Sequence, residues 1–114
     1  MEQGCIFCDI FAGPVESEIL YRDDHCFVIK DISPRAPIHL LIIPVRHFTY
    51  LTYLTTADYP VLGNLFLVAE EMAKREGVGN SGYRLVINQG EHAGQAVPHL
   101  HLHLLAGQVL GPMG

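Results

Sequence analysis

Apolar and polar positions alternate along this chain with two different periods, and the change of period marks its elements. The most apolar stretch, Ile38 to Pro44, carries one histidine; His39 to Ile43 reads as a central buried strand stopped by Pro44. Cys26-Phe27-Val28-Ile29 reads as a strand before it, Ile19 to Tyr21 as a brief one, and Arg22-Asp23-Asp24 as the turn between them. Two prolines make Asp31 to Pro37 a loop. From Thr56 to about Arg75 the period becomes helical: Val61, Leu65, Val68 and Met72 recur at spacings of four, three and four. Pro60 falls in the first turn, where its missing N–H does no harm, and Gly77 is a natural stop. Cys5 to Ala12 reads as a helical turn or two ended by Gly13-Pro14. Tyr83 to Asn88 is another strand, Gln89 to Gln95 a glycine-containing loop, and Val97 to Leu105 a last strand. Strands around one long helix, with a short N-terminal helix, give an α+β class with a mainly antiparallel sheet.

The chain has 114 residues, one domain's worth, so residues 1–114 are expected to form a single domain. Hydrophobic residues make up 49 %, enough to fill one core. No apolar run reaches the roughly 18 residues of a membrane span, and Met1-Glu2-Gln3-Gly4-Cys5 has neither the basic start nor the apolar core of a signal peptide. A cytoplasmic protein with no membrane partner is expected. Seven Lys and Arg stand against twelve Asp and Glu, a net charge of −5, which argues against a nucleic-acid partner but not against a mononucleotide. Three cysteines, Cys5, Cys8 and Cys26, are too few for a disulfide scaffold. Cys5-Ile6-Phe7-Cys8 has the spacing of half a zinc site; a buried thiol pair and a redox pair are the alternatives. Cys26 lies among apolar neighbours and reads as core, and His25 and His92 read as exposed loop residues.

Most of the chemistry is concentrated in His99-Leu100-His101-Leu102-His103-Leu104-Leu105. Alternation on a strand puts His99, His101 and His103 on one face, roughly 6.5–7 Å apart, and the leucines on the other. The three imidazoles read as surface residues, as ligands of a catalytic metal, or as a nucleophile with acid–base partners. Imidazole suits attack on phosphorus, being nucleophilic when neutral and a good leaving group from the adduct. Strand geometry alone does not separate the last two readings.

The run resembles the His-φ-His-φ-His-φ-φ signature of the histidine triad (HIT) superfamily, where φ is apolar. The likeness extends to Asp31-Ile32-Ser33-Pro34-Arg35-Ala36-Pro37-Ile38-His39, to Pro44-Val45-Arg46-His47, to Arg84-Leu85-Val86-Ile87-Asn88 and to Gly94-Gln95-Ala96-Val97. It spans about residues 5 to 107 and is most like the Hint branch. The resemblance implies a HIT-like fold, with a five-stranded sheet extended across a homodimer. It also implies hydrolysis at the α-phosphate of purine nucleotides, as in an adenosine phosphoramidase, through a nucleotidyl-histidine intermediate and with AMP as product. A dinucleoside polyphosphate hydrolase, a catalytically weak nucleotide-binding regulatory module and a metallohydrolase using all three triad histidines are the rival readings.

By resemblance, His101 is the nucleophile and His103 contacts the phosphate and leaving group. His39 hydrogen-bonds within the triad, and His99 stands first in it. Asn88 and Gln95, with the amides around Ala96 and Val97, match positions that hold phosphate oxygens. Asp31 matches the carboxylate that binds the ribose hydroxyls; a turn cap beside Ser33 is its plain alternative. Phe7, Ile10, Ile29, Ile32 and Leu41 match the apolar walls around the base. Cys5, Cys8, His47 and His99 match the Cys, Cys, His, His zinc pattern of bacterial HIT proteins, a structural site with no open position. Two departures bear on substrate choice: Ala96 stands where many Hint-branch members have serine, and the sequence lacks their tryptophan-bearing tail.

Overall fold

The computed structural model describes residues 4–114, so the reading of Met1 to Gln3 lies outside the described residues. Two helices and five strands follow in the order α1 (Ile6–Ala12), β1 (Tyr21–Arg22), β2 (Cys26–Lys30), β3 (Ile38–Pro44), α2 (Tyr59–Arg75), β4 (Tyr83–Val86) and β5 (Leu102–Ala106). One sheet holds all five strands in the order β1-β2-β3-β5-β4, every neighbouring pair antiparallel. Among the described residues no helix is long and apolar enough to cross a membrane.

Both faces of the sheet centre are covered, which is why β2 and β3 read as unbroken apolar runs. Val28, Leu40, Ile42, Leu102 and Leu104 face α2, whose Leu65, Val68, Ala69 and Met72 pack on them; each large side chain buried there contributes roughly 1.5–3 kcal/mol. Phe27, Ile29, Leu41 and Ile43 face α1, where Phe7, Cys8 and Ile10 complete a second cluster. The short α1 ends at Gly13, whose φ of 105° is left-handed and whose N–H closes on the Asp9 carbonyl. It is too short to cover the β5 end of its face, and there His103 and Leu105 remain half-buried.

The helix expected from Thr56 starts with a 3-10 turn, Thr56–Asp58, and becomes α at Tyr59. Thr55 and Asp58 form a reciprocal capping box, with the Thr55 N–H donating to Asp58 Oδ2 at 2.8 Å. Several boundaries differ from the sequence reading. The brief first strand is Tyr21–Arg22 rather than Ile19 to Tyr21, because Asp23 takes over the turn by accepting from the His25 and Cys26 N–H groups. Pro44 belongs to β3 and still pairs with Cys26, while β4 ends at Val86 rather than Asn88. The strand expected from Val97 begins only at Leu102. Continued pairing would set Leu100 against Pro44, which has no N–H, and whose carbonyl is already engaged by the His99 ring. The Leu100 N–H turns instead to the Phe48 carbonyl.

Candidate functional site

Although His99 and His101 precede the regular strand, alternation survives through them. Leu100, Leu102 and Leu104 enter the α2 core, while the three imidazoles take the α1 face, where the Phe7 ring meets both His99 and His101 edge-on. The consequence is a division of labour along one face.

His99 is fully buried and turns toward the two thiols of α1. Its Nδ1 lies 3.3 Å from Cys5 Sγ and 3.7 Å from Cys8 Sγ, and His47 Nδ1 lies 3.5 Å from Cys8 Sγ. The donor atoms of Cys5, Cys8, His47 and His99 all fall within 4.8 Å of one another. Tetrahedral zinc with thiolate and imidazole ligands sets its donors roughly 3.3–3.8 Å apart, so these separations fit. The imidazole protons fit as well. The His99 Nε2–H donates to the Pro44 carbonyl at 2.8 Å, which leaves Nδ1 as a lone pair. The Thr49 hydroxyl donates to the Pro98 carbonyl and so accepts from the His47 Nε2–H, leaving that Nδ1 bare too. Burial pulls the His99 pKa down to about 4, with the charges of His47 and His101 acting the same way, so its lone pair stays available. The four donors suit a soft divalent cation in tetrahedral coordination.

His101 and His103 belong to a different space, a cavity of about 430 Å³ between α1, the β2–β3 loop and the 88–97 loop. One end is apolar, walled by Phe7, Ile10, Ile29 and Leu41, with Ile32 almost wholly exposed on the rim. The other end is polar and gathers Asp31, His39, Asn88, His101 and His103. Asp31 caps its own turn by accepting from the Ser33 N–H at 2.8 Å and keeps Oδ2 3.4 Å from His39 Nε2. The turn-cap reading and the pocket reading of Asp31 therefore coexist.

Hydrogen bonding assigns each ring its tautomer. The His101 Nδ1–H donates to the His99 carbonyl at 2.7 Å, so Nε2 carries the free lone pair. The Arg35 N–H donates to His39 Nδ1 at 3.1 Å, so the His39 proton is on Nε2 and is given to His103 Nδ1 at 2.9 Å. His103 then keeps its own proton on Nε2. Burial holds the His39 pKa down, aided by Arg35 and opposed by Asp31. Burial also pulls His103 down to about 4, with the charges of His101 and His39 adding to it. At neutral pH the pair is uncharged, one ring chained to the next.

Of the residues singled out in the sequence, the cavity gathers Phe7, Ile10, Ile29, Asp31, Ile32, His39, Leu41, Asn88, Ala96, Val97, His101 and His103. Two are corrected. His99 does not line it, since its ring is fully buried and turned to the thiols. Gln95 does not line it either: its amide donates to the Thr49 carbonyl and accepts from the Gly90 N–H, bracing the loop from behind. Cys26 is core as expected, its thiol pushed up to about 12 by burial and the neighbouring Asp23, and His25 and His92 are exposed. The sequence reading missed Lys30 and Arg35, both of which line the cavity, and Thr49, which anchors His47. Arg35 stood within the quoted loop, but no pattern distinguishes a loop arginine that sets a tautomer through its backbone.

Comparison with known proteins gives one consistent result. The profile of the family described as "Scavenger mRNA decapping enzyme C-term binding" matches residues 4–113. A purine nucleoside phosphoramidase of Escherichia coli K12 is 41 % identical over 113 residues, covering 99 % of this chain and 95 % of that relative. A HIT family hydrolase from Clostridium thermocellum superposes with a TM-score of 0.94 at 39 % identity, covering 98 % of this chain and 97 % of that one. A HIT family hydrolase from Legionella pneumophila does so with a TM-score of 0.92 at 39 % identity, covering 97 % and 100 %.

Proposed function

Because the chain belongs to the histidine triad superfamily, we propose that it is a purine nucleotide hydrolase of the nucleoside phosphoramidase kind, with His101 as covalent nucleophile. The observation that carries this reading is the 2.7 Å bond from the His101 Nδ1–H to the His99 carbonyl, which leaves Nε2 bare on the cavity side. A lone pair fixed in place by that bond is what attack on a phosphate requires. The apolar end of the cavity takes the purine, Asp31 takes the ribose hydroxyls, and Asn88 with the amides of Ala96 and Val97 takes the phosphate oxygens.

In the first step a bond forms between His101 Nε2 and phosphorus as the phosphorus–nitrogen bond breaks. The departing amine picks up a proton through His103 Nε2; a bound phosphate's negative charge favours the acid form of that ring, which gives up the His39 bond at Nδ1 until the proton is passed on. Water then cleaves the histidine–phosphorus bond, releases AMP and returns that proton to His103. The pair of His39 and His103, bonded at 2.9 Å, keeps the donor aimed. Cys5, Cys8, His47 and His99 would hold zinc, and a zinc ion with four protein ligands supplies structure and leaves no position for activated water. We read residues 1–114 as a single domain and the protein as a homodimer in which the β4 edge continues the sheet.

Single-turnover incubation with labelled adenosine phosphoramidate, trapping and peptide mapping tests this. A nucleotidyl adduct on His101 is expected. AMP release with no trapped adduct would mean direct water attack, and tight AMP binding without turnover would make the protein a binding module.

A further inference from the structure

A second cavity, about 290 Å³, is lined by none of the apolar base-wall residues. It shares Arg35, His39, Asn88 and His103 with the first cavity, but His101 lines only the first. In-line displacement at phosphorus puts the attacking and leaving atoms on opposite sides. With His101 attacking from the first cavity, the departing group points past His103 into the second. We propose that this second cavity receives the leaving group, and that Arg35 and Arg84 make it select leaving groups that carry an anionic substituent, a carboxylate or a phosphate.

The inference rests on the proposed function and adds to it the chemical class of the leaving group. Arg84 reaches this place by register. His39 and Arg84 both pair with Leu105, so the three side chains rise in one row from the open face. Leu41 and Val86 both pair with His103, forming the adjacent row. Arg84 therefore stands one row from His103, on its side of the sheet. The far wall is the chain after β5. At Gly107, φ is 96° and an added Cβ would meet Pro37 Cβ at 2.9 Å, so the backbone there is turned hard against Pro37. Beyond that turn, Leu110 and Met113 give the cavity an apolar side and Gln108 an amide.

Charge marks the cavity as unlike the rest of the molecule. The chain has a net charge of −5, yet no Asp or Glu lines this space. Arg46, Lys74 and Arg75 have carboxylate partners in Asp58, Glu70 and Glu71, and Arg22 lies over the Phe11 ring and donates to its carbonyl. Lys30, Arg35 and Arg84 have no carboxylate partner among the described residues, and all three line one cavity or the other. Two guanidinium groups beside an apolar wall fit an amino acid joined to phosphorus through its amine: side chain on Leu110 and Met113, carboxylate on the arginines. A second phosphate would use the same arginines.

The test compares three adenosine phosphoramidates built on one scaffold, phenylalanine, phenylalanine amide and phenethylamine, with diadenosine tetraphosphate as the phosphate-bearing arm. Wild type is expected to favour phenylalanine over its amide in kcat/KM by about tenfold or more, a charge-assisted effect. Arg84→Met and Arg35→Met each lower that ratio, and the double variant brings it near one. Binding of a non-hydrolysable methylene-linked pair, the acid and the amide, reads the subsite even if no substrate turns over. No turnover with acid-selective binding would refute the proposed function and leave the subsite standing. Preference for the tetraphosphate arm assigns the arginines to a phosphate, and preference for phenylalanine assigns them to a carboxylate. Equal rates and equal binding of acid and amide, or a ratio unmoved by Arg84→Met, would overturn the proposal.

Discussion

Two neighbouring histidine sites, fed by the same seven-residue run, are built to opposite specifications. Around His99 the donors are two thiols and two imidazoles, three of the four residues buried, every lone pair turned inward. Around His101 and His103 the neighbours are a carboxylate, an amide and open space of about 430 Å³. His99 and His101 are two residues apart on one face, and a single carbonyl links them, since the His99 C=O accepts from the His101 Nδ1–H. A metal at the first site therefore holds the backbone that sets the tautomer at the second. On the proposed function, the closed site would lend rigidity and the open one would do the chemistry.

Exchanging the two roles should fail, and the failures should differ in kind. His101→Ala is expected to lower kcat by about a thousandfold or more, with metal content and melting temperature unchanged. Steady-state kinetics alongside elemental analysis and calorimetry check this, and loss of metal in that variant would merge the two sites. Replacing Cys5 and Cys8 by Ser together should release the metal and lower stability by about 2–5 kcal/mol, read by denaturation, with kcat falling far less than in His101→Ala. Activity that vanished in this variant and returned with other divalent ions would make the metal catalytic.

Acid sharpens the comparison further. His39 and His103 hold protons more weakly in the folded chain than their ordinary pKa near 6.5, His103 at about 4. As pH falls from 6.5 toward 4 the unfolded chain takes up protons that the folded chain refuses, so stability is full above 6.5 and drains through that window. The expected loss is about 1–3 kcal/mol, measured by urea titration at several pH values. It should persist in the Cys5→Ser, Cys8→Ser variant, where metal release no longer contributes. The smallest effect belongs to Asp31→Asn, which keeps an acceptor for the Ser33 N–H but loses the charge proposed to take the ribose hydroxyls. KM should rise by about tenfold with kcat little changed; an unaltered KM would leave Asp31 as a turn cap alone.

The halves of the molecule were unequally legible in the sequence. The helical stripe Leu65, Val68 and Met72 lies buried against the sheet, and the Leu100, Leu102, Leu104 alternation enters the core, because period and polarity fix which face is buried. The four metal-cluster residues came from the family pattern, and the structure brings all four together. His99 and Gln95 do not line the cavity and the strand from Val97 begins later, each for a reason outside the sequence pattern. Pro44 gives its carbonyl to the His99 ring, and Thr49 and Gly90 occupy the Gln95 amide.

The sequence by itself determined the α+β class, the long helix, the buried strands and the face on which the histidines stand, since these follow from local periodicity and steric rules. Only the tertiary structure decided which nitrogen of each imidazole carries the proton. For three of the rings the partner is distant in sequence: Pro44 for His99, Pro98 through Thr49 for His47, His39 for His103. For His101 and His39 it is near in the chain, the His99 carbonyl and the Arg35 N–H, brought to the ring by the local fold. The tertiary structure alone brought Arg84 and the turn at Gly107 beside the triad, through strand order β3-β5-β4. Hydrogen bonds and charges act across space at a few ångströms, and no pattern along the chain encodes which residues the fold brings that close.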